Sequence, residues 1–115
     1  MKLRLQGDSL RLRLGRSEVA RLGDDRTVEE IVSFKMGDNL SYRIQTLPGA
    51  EPLRAEFSAG IITVSMSIKT AQAWASSDEV GLYAQDGKLS IAIEKDFRCL
   101  TRTAAEPDAF PHPAE

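Results

Sequence analysis

One pattern of apolar and polar residues is written twice in this chain, and such a chain is expected to fold as two like units sharing a core. In the later copy, Val80-Gly81-Leu82-Tyr83 and Leu89-Ser90-Ile91-Ala92-Ile93 are alternating runs on either side of Asp86-Gly87. Alternation marks a half-buried strand, and Asp-Gly is the strongest short signal for a hairpin turn with positive φ. Ile31 to Ile44 gives the same plan without a gap, 49 positions earlier. Gly37-Asp38 falls under Asp86-Gly87, and Leu40-Ser41-Tyr42-Arg43-Ile44 falls under Leu89 to Ile93.

The segments ahead of these hairpins match as well. Leu3 and Leu5 alternate with Lys2, Arg4 and Gln6, Gly7-Asp8 supplies a turn, and Leu10, Leu12 and Leu14 alternate with Arg11 and Arg13. Residues 2–14 therefore read as a hairpin with leucines on one face and arginines on the other. Leu53 to Phe57, Ala59-Gly60 and Ile62 to Ile68 replay it. Ser17 suits the cap of a two-turn helix that ends at Gly23, buries Val19 and Leu22 and leaves Glu18 and Arg21 in water. Thr70 suits the cap of a second helix, Ala71 to Ala75, offset by 53 positions with one extra residue ahead of it. Thr27 to Lys35 fits two patterns, a capping box in Thr27-Val28-Glu29-Glu30 and a β-branched run in Ile31-Val32-Ser33-Phe34. The repeat decides for a strand, because Ile31 falls opposite Val80. Pro48-Gly49-Ala50-Glu51-Pro52 is the connector.

The order strand, strand, helix, strand, strand thus occupies 2–46 and again 53–94. The fold expected is an α+β domain of about eight mostly antiparallel strands, forming a barrel-like or twisted sheet system with two short helices and a pseudo-twofold axis. Residues 1–100 form the single globular domain. Residues 101–115 hold three prolines and no periodicity, which predicts an extended or disordered tail pinned by Phe110.

Composition narrows the class. Hydrophobic residues at 42% and charged residues at 28% of 115 suit one soluble domain. The lone Cys99 forms no internal disulfide and the first ten residues are broken by charge, so the default location is a reducing cytoplasm. The uncharged stretch Phe57 to Ile68 is twelve residues with four serines or threonines, too short and polar to span a bilayer. Net charge is −2, but residues 1–16 carry Lys2, Arg4, Arg11, Arg13 and Arg16 against Asp8 alone.

Four groups of residues carry candidate chemistry. Cys99 and His112 are single representatives of their kinds, and a thiolate-imidazole pair would need a third orienting group such as Asp96 or Asp108. Lys95, Asp96 and Cys99 mark a pocket between the repeats for a small molecule or a small enzyme's substrate. Glu94 and Asp96 share one side of a strand by period two, with Lys95 on the other. Arg4, Arg11 and Arg13 share the face opposite the leucines and can meet one polyanion. No Cys-x-x-Cys or His-x-x-x-His spacing points to a metal, and no cofactor fingerprint is present. Trp74 and Tyr83 are placed to stack in a core or to line a pocket, with core packing the default. The reading that follows is a non-catalytic binding or interaction domain whose partner is a protein or a second copy of the chain, contacted through exposed strand edges or the tail. A small-molecule site near Lys95, Asp96 and Cys99 and polyanion binding through the arginines are its alternatives; nucleic acid is disfavoured by a pI of 5.5 and the absence of interleaved aromatics.

Glu94-Lys95-Asp96-Phe97-Arg98-Cys99-Leu100, followed by Asp108-Ala109-Phe110-Pro111-His112-Pro113, resembles a family of short uncharacterised bacterial proteins classed as a domain of unknown function. Ser9 to Leu14 with Arg16-Ser17-Glu18-Val19 is similar to that family's opening. The resemblance spans almost all of the chain and implies a compact bacterial cytoplasmic domain, with no activity attached. In that family the place of His112 is more often an asparagine.

Overall fold

The alternating runs form strands in the expected order. The structure, a computed structural model, describes residues 1–97; Cys99, His112 and the tail lie outside the described residues. The elements are β1 (Lys2–Gln6), β2 (Ser9–Leu14), α1 (Arg16–Gly23), β3 (Val28–Ser33), β4 (Asn39–Thr46), β5 (Arg54–Ser58), β6 (Ile61–Met66), α2 (Ile68–Ala75), β7 (Gly81–Asp86) and β8 (Leu89–Lys95). No helix among the described residues is long and apolar enough to cross a membrane.

Each unit makes two hairpins, and each hairpin joins a different sheet. One sheet has the order β1-β2-β8-β7 and the other β3-β4-β6-β5. Both are joined at the centre by a parallel ladder between units, β2 with β8 and β4 with β6, while the hairpin ladders are antiparallel. The register repeats: Leu12 lies opposite Ile93 in the first sheet, and Val64 opposite Ile44 in the second. Two mixed sheets replace the closed barrel that was one form of the expectation. The sheets meet at side chains rather than along a backbone ladder. The Asp86 carboxylate accepts from the Ala55 N–H at 3.1 Å, joining β7 to β5. On the other flank the Tyr42 hydroxyl donates to the Met1 carbonyl at 3.5 Å.

The inward faces form one core. Leu10, Leu12, Leu14, Ile91 and Ile93 of the first sheet and Val28, Ile44, Ile62, Val64 and Met66 of the second are buried in a single cluster with Val19 and Leu22 of α1 and Ala71 and Trp74 of α2. The helices pack on each other where a Cβ on Gly23 would come within 3.0 Å of the Ala75 Cβ. Gly23 is therefore the last residue of α1, held there by close approach rather than acting as its cap, which is Asp24.

Three local expectations are corrected. α1 starts one residue after Gly15, whose N–H donates to the Glu18 carboxylate at 2.8 Å, so Glu18 is tied down rather than wet and Ser17 lies inside the helix. α2 is capped by Ser67, whose hydroxyl oxygen accepts from the Thr70 N–H at 3.1 Å, leaving Thr70 in the first turn. The helices then differ by 52 positions, with no extra residue. The repeat also contains a gap: Ile93 and Ile44 correspond, yet their partners are Leu82 and Val28, so Val28 stands where Leu82 does and Val80 precedes its strand. The offset grows from 49 on β8 to 54 on β7 because the first copy's hairpin is five residues longer, through Phe34 to Asp38. The strand assignment for Ile31 to Ser33 holds, but for another phase of the repeat.

Candidate functional site

Period two places every second residue of β1, β2, β8 and β7 on the outer face of the first sheet, and the ladder sets them in rows. One row reads Arg4, Arg11, Ala92, Tyr83 and the next Lys2, Arg13, Glu94, Gly81. Two successive like-charge pairs, Arg4 opposite Arg11 and Lys2 opposite Arg13, therefore face each other across one hairpin. Directly opposed like charges are destabilising by up to about 1 kcal/mol per pair, and here Lys2, Arg11 and Arg13 each meet a carboxylate that offsets this.

Glu94 and Tyr83 organise the cluster. The Glu94 carboxylate lies 3.3 Å from Arg11 Nε and 3.6 Å from Arg13 Nε, and accepts from the Tyr83 hydroxyl at 2.7 Å. The phenol contact is a short hydrogen bond, whereas the two arginine contacts are longer than good N–H···O bonds. Gly81 makes the phenol's position possible: a Cβ there would lie 2.7 Å from the Tyr83 hydroxyl and 3.0 Å from Glu94 Cγ. With the ring leaning over Gly81, the half-buried Ala92 faces the groove. The result is an open groove of about 640 Å³, floored by Ser90 and Ala92 and walled by Arg4 and Arg11 on one side and Tyr83 and Gln85 on the other.

The second sheet repeats the strand order and carries different side chains at the equivalent positions. With offsets of 52 on the first hairpin, 49 on β8 and 54 on β7, Arg4, Arg11 and Arg13 correspond to Glu56, Thr63 and Ser65, and Ala92 to Arg43. There the long Arg43 side chain replaces the small floor residue, its Nε 3.4 Å from a Glu29 oxygen.

The structure thus brings Arg4, Arg11 and Arg13 together, as their spacing implied. Lys95 and Asp96 do not line that groove, and their side chains leave opposite sides of the strand end. Lys95 turns to the inner side, donating to the Ser77 carbonyl at 2.7 Å just beyond α2, with its ammonium 5.6 Å from the centroid of the Trp74 ring. Asp96 turns outward with Glu94 and pairs with Lys2 at 3.0 Å. Both line a cleft of about 610 Å³ at the base of the helices, where each is held by a structural partner. Cys99, the third member of that predicted set, is outside the described residues. Trp74 is fully buried as expected, whereas Tyr83 is 61% exposed and belongs to the outer face, not the core. Tyr83, Gly81 and Ala92 were missed as site residues. The available signal was Gly81 and Tyr83 two apart on one face of a strand. Among the described residues no group of three or more His, Cys, Asp or Glu side chains could hold a metal ion.

A Family of unknown function (DUF7009) matches residues 1–114. The chain belongs to that family. No curated protein and no solved structure matches it. Membership in DUF7009 attaches no activity, so the chemistry of the groove is the ground for any reading of this member.

The hydrogen bond from Tyr83 to Glu94, and after it some burial, raises the phenol above its ordinary value of 10.0. Burial, then the Glu30 and Glu18 charges, raise Tyr42 as well. Above about pH 10 an unfolded chain gives up these protons before the folded one does, so stability falls as pH rises through that window. Glu94→Gln is expected to return one of the two tyrosine transitions towards the ordinary value and leave the other in place, followed by phenolate absorbance. If both transitions are unmoved, the Tyr83–Glu94 contact is not formed in solution.

Proposed function

We propose that this protein is a non-catalytic binding domain that holds an acidic segment of a protein partner in the groove on the outer face of its first sheet. One observation carries the reading. The fold repeats, but the basic array does not: the hairpin β1–β2 keeps two opposed like-charge pairs, while the equivalent hairpin β5–β6 sets Arg54 opposite Ser65 and Glu56 opposite Thr63. A symmetric scaffold that carries a basic array on one copy alone is consistent with selection on a surface rather than on folding. Arginine forks match carboxylates in pairs of N–H···O bonds. Lys2, Arg4, Arg11 and Arg13 gather on one sheet face of a chain whose net charge is −2, which favours a short acidic segment over a long polyanion.

The test is a fluorescence-anisotropy titration of a labelled acidic peptide against the wild type and against the triple variant Arg4→Ala/Arg11→Ala/Arg13→Ala. Exposed ion pairs contribute about 0.2–1 kcal/mol each, so the triple variant is expected to bind about tenfold more weakly and to show a shallower salt dependence. Circular dichroism should find it folded, because all three side chains are on the solvent face. Equal binding by both proteins, or no binding of the acidic peptide by either, overturns the reading.

A further inference from the structure

We infer that the protein pairs end to end with a second copy of itself, the β3–β4 hairpin tip of each copy seating in the apolar mouth between the two sheets of the other. The fold has two unlike ends. Both parallel ladders run toward the helices, β2 leading into α1 and β6 into α2, and the helices pack on each other, so the hairpin turns gather at the opposite end. There the inner faces of the sheets have nothing over them. Leu5, Leu10 and Leu89 of the first sheet and Leu40, Phe57 and Ile62 of the second line an open cleft of about 320 Å³. Phe57 is 70% exposed although it stands opposite the inward Ile62. Glu56, on the edge strand β5, is the charged residue at the rim.

The hairpin that bears Leu40 indicates the occupant. Two-residue turns, Gly7-Asp8, Ala59-Gly60 and Gly87-Lys88, close the other hairpins, whereas β3 and β4 are joined through Phe34 to Asp38. That tip is a formed loop: the Phe34 N–H donates to the Asp38 carbonyl at 2.9 Å, and the Gly37 N–H to the Phe34 carbonyl at 3.1 Å. It presents Phe34 and Met36 to solvent, Met36 87% exposed, with Lys35 between them. Neither apolar side chain lines the cleft of its own copy. Exposed apolar groups set together at one end of a molecule mark a contact surface, and an unbranched methionine adapts to an irregular apolar cleft. Charge selects the mouth as the seat. Lys35 on the tip and Glu56 on the rim are of opposite sign, and neither is paired with another described residue. A twofold axis presents each tip to the other copy's mouth, so every contact is made twice. The arginine groove, on the outer face of the first sheet, takes no part.

Sedimentation equilibrium in the micromolar range reads the association. The wild type is expected to be a dimer, and Phe34→Ser/Met36→Ser to raise the dimer dissociation constant at least about 100-fold, because both side chains leave the interface in both directions. Circular dichroism should find that variant folded, since both positions are exposed. Lys35→Glu and Glu56→Lys should each weaken the dimer about tenfold, and Lys35→Glu/Glu56→Lys together should return it to within about twofold of the wild type. A tip that matters only for folding gives no such rescue. A wild type that stays monomeric overturns the inference, whether an apolar fluorescent dye then finds the mouth open or finds it closed by the chain's own tip. A dimer that Phe34→Ser/Met36→Ser leaves unchanged, or charge reversals that do not rescue each other, also overturn it.

Discussion

Trp74→Ala is expected to remove about 3–5 kcal/mol of stability, the range for truncating a large buried aromatic. Trp74 is 0% exposed and belongs to the single core cluster to which both helices and both sheets contribute. Its indole Nε1 donates to the Glu79 carbonyl at 2.9 Å, so truncation leaves a cavity and also a carbonyl without its donor. Domains of this size are stable by about 5–15 kcal/mol, so the loss is a large fraction of the total. Trp74→Phe keeps most of the apolar contact and removes the hydrogen bond, and should cost about 1–2 kcal/mol. Urea unfolding followed by far-ultraviolet circular dichroism measures both, since the substitution removes the only tryptophan. A loss below about 1 kcal/mol for Trp74→Ala would mean that the ring does not fill the core.

Cut between Gly49 and Ala50, the chain is expected to give two pieces that are each unfolded alone and fold when mixed. Each unit supplies two hairpins to two different sheets, and both parallel ladders, β2–β8 and β4–β6, run between units. An isolated half retains only two-stranded hairpins, which are marginal in water. It also loses about half of the core that its apolar faces require. Mixing equimolar fragments should restore strand content, and Trp74, present in the second piece alone, should shift its emission to shorter wavelength as its site closes. A cooperative thermal transition in either fragment by itself would contradict this interlocked architecture.

What could be read from residues alone was local. Leu10, Leu12 and Leu14 alternate with arginines, and only one register buries them, so the strand and its wet face follow directly. Asp86-Gly87 marked a turn through glycine's tolerance of positive φ, although the turn itself is Gly87-Lys88 and Asp86 ends β7. The parallel ladder of β2 with β8 was not legible, because its partners are some 80 positions apart and the pairing is chosen by the shared core rather than by any turn. The phase of β3 was misread because Glu29 and Glu30 interrupt its pattern, so the more apolar Ile31-Val32 looked like its start. At Gly15, a helix begins without a capping side chain because Glu18 reaches back to the backbone, and Ser17 was the more visible candidate. The arginine face was legible as a set. The groove beside it was not, since its existence depends on how Tyr83 lies over Gly81, a contact between residues on one strand that only the side-chain geometry reveals.

The ion pair between Lys2 and Asp96, at 3.0 Å, ties the start of the first strand to the finish of the last across the one strand, β2, that separates them. A linker long enough to cross that strand, combined with a break at Gly49, would write the second unit ahead of the first and keep every ladder in register. Such a circular permutant would be nearly the same body under a rotated sequence, so the serial order of the two units is a property of the gene and not of the folded object.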